Sequence, residues 1–259
     1  MRIGVFDSGA GGLTVAKSLL ASGLFTEIIY FGDTARVPYG NKNRNTIVRY
    51  SLEALEFFTS RNVELLVVAC NTVSVSALHE LRAATRFPVI GMVEPGIWLL
   101  NQIAASRNER VLVIGTNVTV SSGAYQSAAR TSGFPHVEAI AAGLLVSLVE
   151  EGLLDGPVVD AALEHYFGAL DAPEIIVLAC THFPLLAGAI ARRFPDAVLI
   201  HSGEAITQWL RSSEFASASM SLDTTLEIFA SDDLDRLRNT AINWLGDYAS
   251  RLVESVCLR

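Results

Sequence analysis

The sequence predicts an α/β chain built as two pseudo-symmetric, doubly wound domains with mainly parallel sheets and a ligand cleft between them. Three observations lead there. Short aliphatic runs alternate with longer segments of helical periodicity, the pattern of strands covered by helices on both faces. The pattern also comes twice: "IGVFDSGAGGLTVA" (3–16) and "VLVIGTNVTVSSGA" (111–124) each read as strand, polar break and helix, and each is followed later by an apolar run ending in Ala-Cys. Finally, Asn117 follows Asp7 at the same interval, 110 positions, at which Cys180 follows Cys70. Two features repeating at one interval indicate a duplicated half, and in parallel sheets of this kind ligands bind at the C-terminal strand ends.

Taken in order, "RIGVF" (2–6) is the first strand and 12–22 the helix that returns from it. "EIIYFG" (27–32) follows, then the loop "ARVPYGN" (35–41), a helix over 41–60, and the strand "VELLVVA" (63–69). A helix over 73–85 leads to "FPVIGMV" (87–93), and the Pro-Gly of "VEPGI" (93–97) reads as the crossover between halves. The second half has a helix at 95–106, the strand "RVLVIG" (110–115), helices at 119–132, 143–151 and 156–170, and the strand "EIIVLA" (174–179). A helix at 184–193, the strand "AVLI" (197–200), a helix at 203–212 and a long helix at 232–254 complete the chain, the last returning to the first half. The expected division is residues 1–95 with 207–259 as one domain and 96–206 as the other.

At 259 residues, 51% hydrophobic and 18% charged, the chain has the material for a substantial core and lacks the composition of a disordered protein. A net charge of −8 argues against a nucleic-acid backbone or an anionic membrane as partner. No apolar run approaches the roughly 18 residues of a membrane span, and the opening segment reaches Asp7 too soon for a secretory signal. The expected location is the cytoplasm. The three cysteines, Cys70, Cys180 and Cys257, cannot all pair, and without CxxC or His-x-x-His spacing no metal site is expected.

The chemistry concentrates in "VVACNTVS" (67–74) and "VLACTHFPLL" (177–186). A thiol between a strand end and a helix start is expected to have a lowered pKa, because first-turn N–H groups favour the thiolate. A single buried cysteine is usually an inert small hydrophobe, and Cys257 is read that way. Two at matched positions with matching polar neighbours are not. Thiolates act as nucleophiles, metal ligands or general bases. Two facing thiols suit the inversion of a C–H stereocentre, one removing a proton from one face while the other delivers a proton to the opposite face. Asn71, Thr72, Thr181 and His182 offer donors to substrate carboxylates. "DSGAGG" (7–12) lacks the Lys-Ser/Thr of a P-loop and the spacing of a dinucleotide fingerprint; it reads as a tight turn setting Asp7 and Ser8 at the rim. His79, His136, His165 and His201 are read as surface or packing residues.

Together "GVFDSGAGGLTV", "DTARVPYGNK", "VVACNTVS", "VEPG", "LVEEG" and "VLACTHFPLL" resemble the glutamate racemase family in order and spacing, from residue 3 to about 206, with weaker echoes in "TTLEIFAS" and "NWLG". The resemblance implies a cofactor-independent enzyme that interconverts L- and D-glutamate and supplies D-glutamate for peptidoglycan. It implies Cys70 and Cys180 as the paired acid and base, Asp7 assisting Cys70, and His182 with Glu150 assisting Cys180. Substrate contacts would come from Asp7 and Ser8, Pro38, Tyr39 and Gly40, Asn71 and Thr72, Thr116 and Asn117, and Thr181 and His182. A homodimer is implied, with no cofactor, metal or nucleic-acid partner. The chain departs from the family pattern in two places. Before Glu150 the usual Cys-Pro-Leu-Phe-Val-Pro gives way to "AGLLVSLVE" (142–150), and His201 in "LIHSGEAI" (199–206) stands where an acidic residue is common. Met1 stands just ahead of the first strand, so no N-terminal extension of the activator-dependent members is expected.

Other readings remain at this stage. A racemase of aspartate or another amino acid would use the same thiol pair. A two-lobed amino-acid binding protein would account for the cleft but not for the cysteines. A pyridoxal-phosphate racemase needs a Schiff-base lysine, and neither Lys17, on a helix, nor Lys42, in a polar stretch, looks enclosed.

Overall fold

The computed structural model describes residues 1–215 and 223–257, the side chains of Glu254, Ser255 and Cys257 excepted. Two parallel sheets organise it. The first contains β1 (Arg2–Asp7), β2 (Glu27–Gly32), β3 (Leu65–Val68) and β4 (Val89–Ile90); the second contains β5 (Val111–Gly115), β6 (Val137–Ala141), β7 (Ile175–Ala179) and β8 (Val198–His201). Within the first the spatial order is β2-β1-β3-β4, and the second repeats it as β6-β5-β7-β8. Two later strands, β9 (Thr225–Ala230) and β10 (Leu252–Cys257), extend the first sheet beyond β2. Every pairing is parallel.

The continuous apolar runs have a direct structural reason. Ile3, Val5, Leu65 and Val67 enter one core of the first sheet, while Phe6, Leu66 and Val68 enter another. In the second sheet Leu112, Ile114, Ile176 and Leu178 pack into one core, and Val111, Val113, Ile175 and Val177 into another. Alternate side chains thus meet helices on opposite faces, and both must be apolar.

Those helices are α1 (Leu13–Ser22), α2 (Arg44–Ser60), α3 (Asn71–Ser76), α4 (Leu78–Ala84) and α5 (Val93–Ile103) in the first part of the chain. They continue with α6 (Asn117–Ser121), α7 (Ala124–Thr131), α8 (Gly143–Glu150), α9 (Pro157–Phe167), α10 (Ala187–Arg193), α11 (Ser202–Arg211) and α12 (Leu234–Leu245). The "VEPG" segment opens α5, which lies between β4 and β5 and so carries the crossover from one sheet to the other. Helix α11 packs on both α1 and α5.

The structure corrects several expected elements. The helix expected over 232–254 stops at Leu245; a 3-10 turn spans Gly246–Arg251, and the chain then forms β10 against β9. The alternating, β-branched "LVESVC" satisfies its backbone groups on that sheet edge rather than in more helix. The helix expected over 119–132 is two, α6 and α7, separated at Gly123, whose φ of 68° only glycine adopts freely. The helix expected over 73–85 starts two residues earlier and breaks at Ala77, where φ and ψ of −130° and −2° leave the helical region. Strands β6 and β9 lack the continuous aliphatic run that marks the others: "VEAIA" and "TLEIFA" mix acidic and small residues among the aliphatics, and β6 is a half-exposed edge. The reading of Cys257 falls on a side chain outside the described residues.

Candidate active site

The two expected cysteines occupy equivalent stations. Cys70 follows β3 and immediately precedes α3; Cys180 follows β7. Both are 5% exposed, and both border one cavity of about 320 Å³. The local geometry after them differs. Behind Cys70 the chain enters an α-helix at once, whereas behind Cys180 it enters a 3-10 turn, Phe183–Leu186, with Pro184 near its start, and only then α10.

On the first side the Cys70 thiol donates to Ser8 Oγ at 3.4 Å. Asp7, at the end of β1, is 1% exposed, and its carboxylate accepts the Gly9 N–H at 3.0 Å and the Thr181 hydroxyl at 3.4 Å. It sits behind the cavity wall rather than on it. Burial raises the Asp7 pKa, against the lowering effects of His182 and of the Gly9 and Gly12 amides. The Cys70 thiol is pushed up to about 12, first by burial and then by the Asp7 charge, which outweigh the Ser8 and Val73 hydrogen bonds. This overturns the lowered pKa expected for Cys70. A helix N-terminus favours the thiolate, but desolvation and a neighbouring carboxylate disfavour it more strongly.

On the second side the Cys180 sulfur lies 3.8 Å from His182 Nδ1, and His182 Nε2 lies 2.6 Å from Glu150 Oε1. Burial opposes protonation of this imidazole, but hydrogen bonds to Cys180 and Glu150, with their charges, win and raise it to about 10. The His182 hydrogen bond in turn lowers the Glu150 pKa against burial, helped by the charges of His182 and Arg236. The altered segment before Glu150 forms α8, a regular helix, and delivers the carboxylate to His182 without the prolines of the usual pattern.

Most of the other expected residues gather here, though not all present their side chains. Ser8, Pro38, Tyr39, Gly40, Asn71, Thr72, Thr116 and Thr181 border the cavity with the thiols. The Tyr39 ring is buried in the core and its hydroxyl donates to Asp33. Asn71 is held from behind: Tyr125 donates to its Oδ1 at 2.6 Å, and its Nδ2 donates to Ser202 at 3.3 Å. Thr72 and Thr116 share a hydrogen bond of 2.9 Å that joins the first turn of α3 to the N-cap of α6. Asn117 does not reach the cavity; it is exposed and donates to Asn41 at 3.2 Å. Gly11 allows the two halves to meet, since a Cβ there would stand 2.3 Å from Thr181 Oγ1 and 2.6 Å from the His182 ring.

Sequence reasoning missed Ser147 and Val146 of α8 and Arg236 of α12, all of which border the cavity. Ser147 and Val146 lie one turn before Glu150, so treating 143–151 as a helix with one inward face was a usable signal. Arg236, in a charged helix far along the chain, gave none. Neither Lys17, whose amine donates to the Trp244 carbonyl, nor Lys42 borders the cavity. Among the described residues no helix is long and apolar enough to cross a membrane.

Matched parallel sheets, each delivering a thiol to one shared cavity, define a two-lobed α/β protein with duplicated site elements. The chain belongs to the Asp/Glu/hydantoin racemase family, whose model matches residues 14–209, and is thus an enzyme of the isomerase class, a racemase. A glutamate racemase from Nitratiruptor sp. is 52% identical to it over 248 residues, 95% of this chain and 97% of the relative. The crystal structure of glutamate racemase from Campylobacter jejuni superposes with a TM-score of 0.91 at 44% identity, covering 95% of this chain and 98% of that one. The glutamate racemase from Francisella tularensis, solved in complex with D-glutamate, has a TM-score of 0.84 at 28% identity, covering 100% and 97%.

Proposed function

We propose that this chain interconverts L- and D-glutamate by proton transfer at the α-carbon, with Cys70 and Cys180 as the two bases. The observation that carries the reading is the pair of thiols at equivalent strand ends bordering one cavity. In one direction the thiolate of one cysteine takes the α-proton from one face, leaving a carbanion. The thiol of the other gives its proton to the opposite face. The enzyme ends with the two sulfurs' protonation states exchanged, and the reverse reaction restores them. Geometry and protonation favour a resting state in which Cys70 is the thiol, since its pKa near 12 keeps it protonated. Cys180, facing a protonated His182, is then the first base, with Glu150 holding the imidazolium from its far nitrogen.

The α-proton of an amino acid is a far weaker acid than a thiol, so the carbanion must be stabilised, each tenfold in rate corresponding to about 1.36 kcal/mol. Supporting contributions come from the hydroxyls of Ser8, Thr72 and Thr181, from the Asn71 amide, and from the small cavity, where hydrogen bonds act with little competition from water. We take Asp7 as the group that sets the Cys70 environment, and Ser8, Asn71, Thr72, Thr116 and Thr181, with the Pro38–Gly40 loop, as the substrate-holding wall. Asn117 would act only through the Asn41 side chain it contacts. The two units would be residues 1–95 with 207–259 and residues 96–206. The glutamate racemase names of the relatives support glutamate as substrate; D-glutamate for peptidoglycan as the product's use, a cytoplasmic location and a homodimer are proposed with it from the sequence resemblance alone.

The test is incubation of L-glutamate and L-aspartate, separately, with purified protein free of added cofactor, followed by chiral chromatography. D-glutamate should accumulate to equality with L-glutamate while aspartate stays L. Conversion of aspartate alone would reassign the substrate, and conversion of neither would end the racemase reading.

A further inference from the structure

Helix α12 packs on the first sheet's elements, α1, β9 and β10, yet its first turn reaches the cavity on the Cys180 side. Asp233 caps the helix, its side chain accepting the Arg236 N–H at 3.2 Å, and this fixes Arg236 in the opening turn. From there Arg236 Nη2 lies 3.5 Å from Glu150 Oε2. The other oxygen of the same carboxylate is the one 2.6 Å from His182 Nε2, and His182 Nδ1 lies 3.8 Å from the Cys180 sulfur. Four side chains thus form one line: Arg236, Glu150, His182, Cys180. Farther along α12, Trp244 meets the His182 ring edge-to-face at 6.1 Å between centroids. Its backbone carbonyl accepts from Lys17 of α1, which ties that end of α12 down.

A carboxylate held by one oxygen can turn about its terminal C–C bond. Held by both, it cannot, and its partner on the first oxygen is held with it. Among the described residues, Glu150 forms ion pairs with His182 and Arg236 and with no other side chain. We propose that Arg236 is a positioning residue for Cys180: by holding Glu150 Oε2 it keeps Oε1 on His182, and so keeps the imidazolium facing the sulfur when Cys180 takes the α-proton. This inference rests on the two-thiol reading above. It assigns α12, a C-terminal element of the first sheet, a part in the chemistry of the opposite half.

The groups that face this line are few. Asp7 acts on His182 through its charge, Cys180 and Glu150 flank the ring, and Arg236 alone faces Glu150 from α12. Because the Arg236 side chain is 62% exposed, its pair with Glu150 is screened by water and the effect is modest.

The experiment is steady-state kinetics of Arg236→Gln, Arg236→Lys and Glu150→Gln, and of the double variant Arg236→Gln/Glu150→Gln, with ordinary and α-deuterated L- and D-glutamate. Arg236→Gln should lower kcat/KM by about threefold to fivefold, the scale of a partly exposed ion pair. The loss must be equal in both directions, since enantiomers are equal in free energy. The primary deuterium isotope effect, however, should rise only for the enantiomer whose proton Cys180 removes, because only that transfer has become slower. Arg236→Lys should restore most of the loss, and Arg236→Gln should add nothing in the Glu150→Gln background. With an active wild-type enzyme, an unchanged Arg236→Gln variant, isotope effects that rise equally for both enantiomers, or a loss that persists without Glu150 would each overturn this inference alone. A wild-type enzyme that racemises no substrate would overturn the underlying reading, and this inference with it.

Discussion

Cys70 and Cys180 stand at equivalent strand ends, yet their neighbours carry opposite charge. Cys70 faces a buried carboxylate and a hydroxyl, while Cys180 faces an imidazole held by a carboxylate. The same residue type thus meets two different environments, and the one around Cys70 favours its protonated form. Replacing either with Ser leaves a hydroxyl too weakly acidic to take its part. If inversion uses both thiols as proposed, Cys70→Ser and Cys180→Ser should each lower kcat by about 10²–10⁴-fold, the usual worth of a general acid or base, with circular dichroism unchanged. His182 carries a separate expectation for stability. Its pKa in the fold, about 10, lies above the ordinary 6.5. The folded state therefore binds the proton more tightly than the unfolded chain does. The resulting stabilisation is complete below pH 6.5 and is lost as pH rises towards 10. Urea unfolding of the protein and of His182→Asn across that window should show the stability gap narrowing as pH rises; a gap constant with pH would mean that His182 is neutral throughout.

At the scale of elements, the loop between β1 and α1, together with the first turn of α1, does more than turn the chain. Thr14 donates to the Thr181 carbonyl at 2.8 Å, and Gly11 leaves room for the Thr181 hydroxyl and the His182 ring. A methyl group at Gly11 would overlap both, and neither can retreat without leaving Asp7 or Glu150. Gly11→Ala should therefore cost about 1–3 kcal/mol, as overpacking typically does, and should cut kcat sharply by displacing His182 from Cys180. Gly188, within α10, meets nothing within 4 Å of an added Cβ. Gly188→Ala should leave activity intact and stabilise the fold by up to about 1 kcal/mol. Thermal unfolding and turnover of the two variants measured together check the contrast, and equal behaviour would show that the Gly11 contact is soft.

At the scale of the whole molecule, the repeated strand order explains why one cavity has two thiols. Corresponding strands, β3 and β7, each lead to a cysteine that borders the same cavity. In the mechanism proposed above, a substrate held there would be approached from two sides without having to turn over. Racemisation in D2O should therefore place deuterium at the α-carbon of the product enantiomer well before it appears in recovered substrate. Proton NMR of the α-position at early conversion reads this directly, and equal early labelling of both enantiomers would point to a single base returning its proton to either face. The added strands β9 and β10 break the symmetry, extending the first sheet only, and with them comes α12, whose first turn enters the site of the other half.

The amino-acid sequence by itself determined the strands buried on both faces, the duplicated order of features, and the pair of cysteines. Each is a matter of local composition and of spacing along the chain. Residues such as Asp7, Thr72 and His182 were legible because they stand within a few positions of a strand end, where parallel sheets of this kind place their ligand sites. Only the tertiary structure decided that the Tyr39 hydroxyl turns to Asp33, that Asn117 stays outside the cavity, and that Arg236 stands beside Glu150. It also decided the state of Cys70, because desolvation and the Asp7 charge depend on what surrounds the sulfur in space. Periodicity and local motifs report what a residue's chain neighbours impose. Burial, charge and contact between distant segments arise only when the sheets have packed.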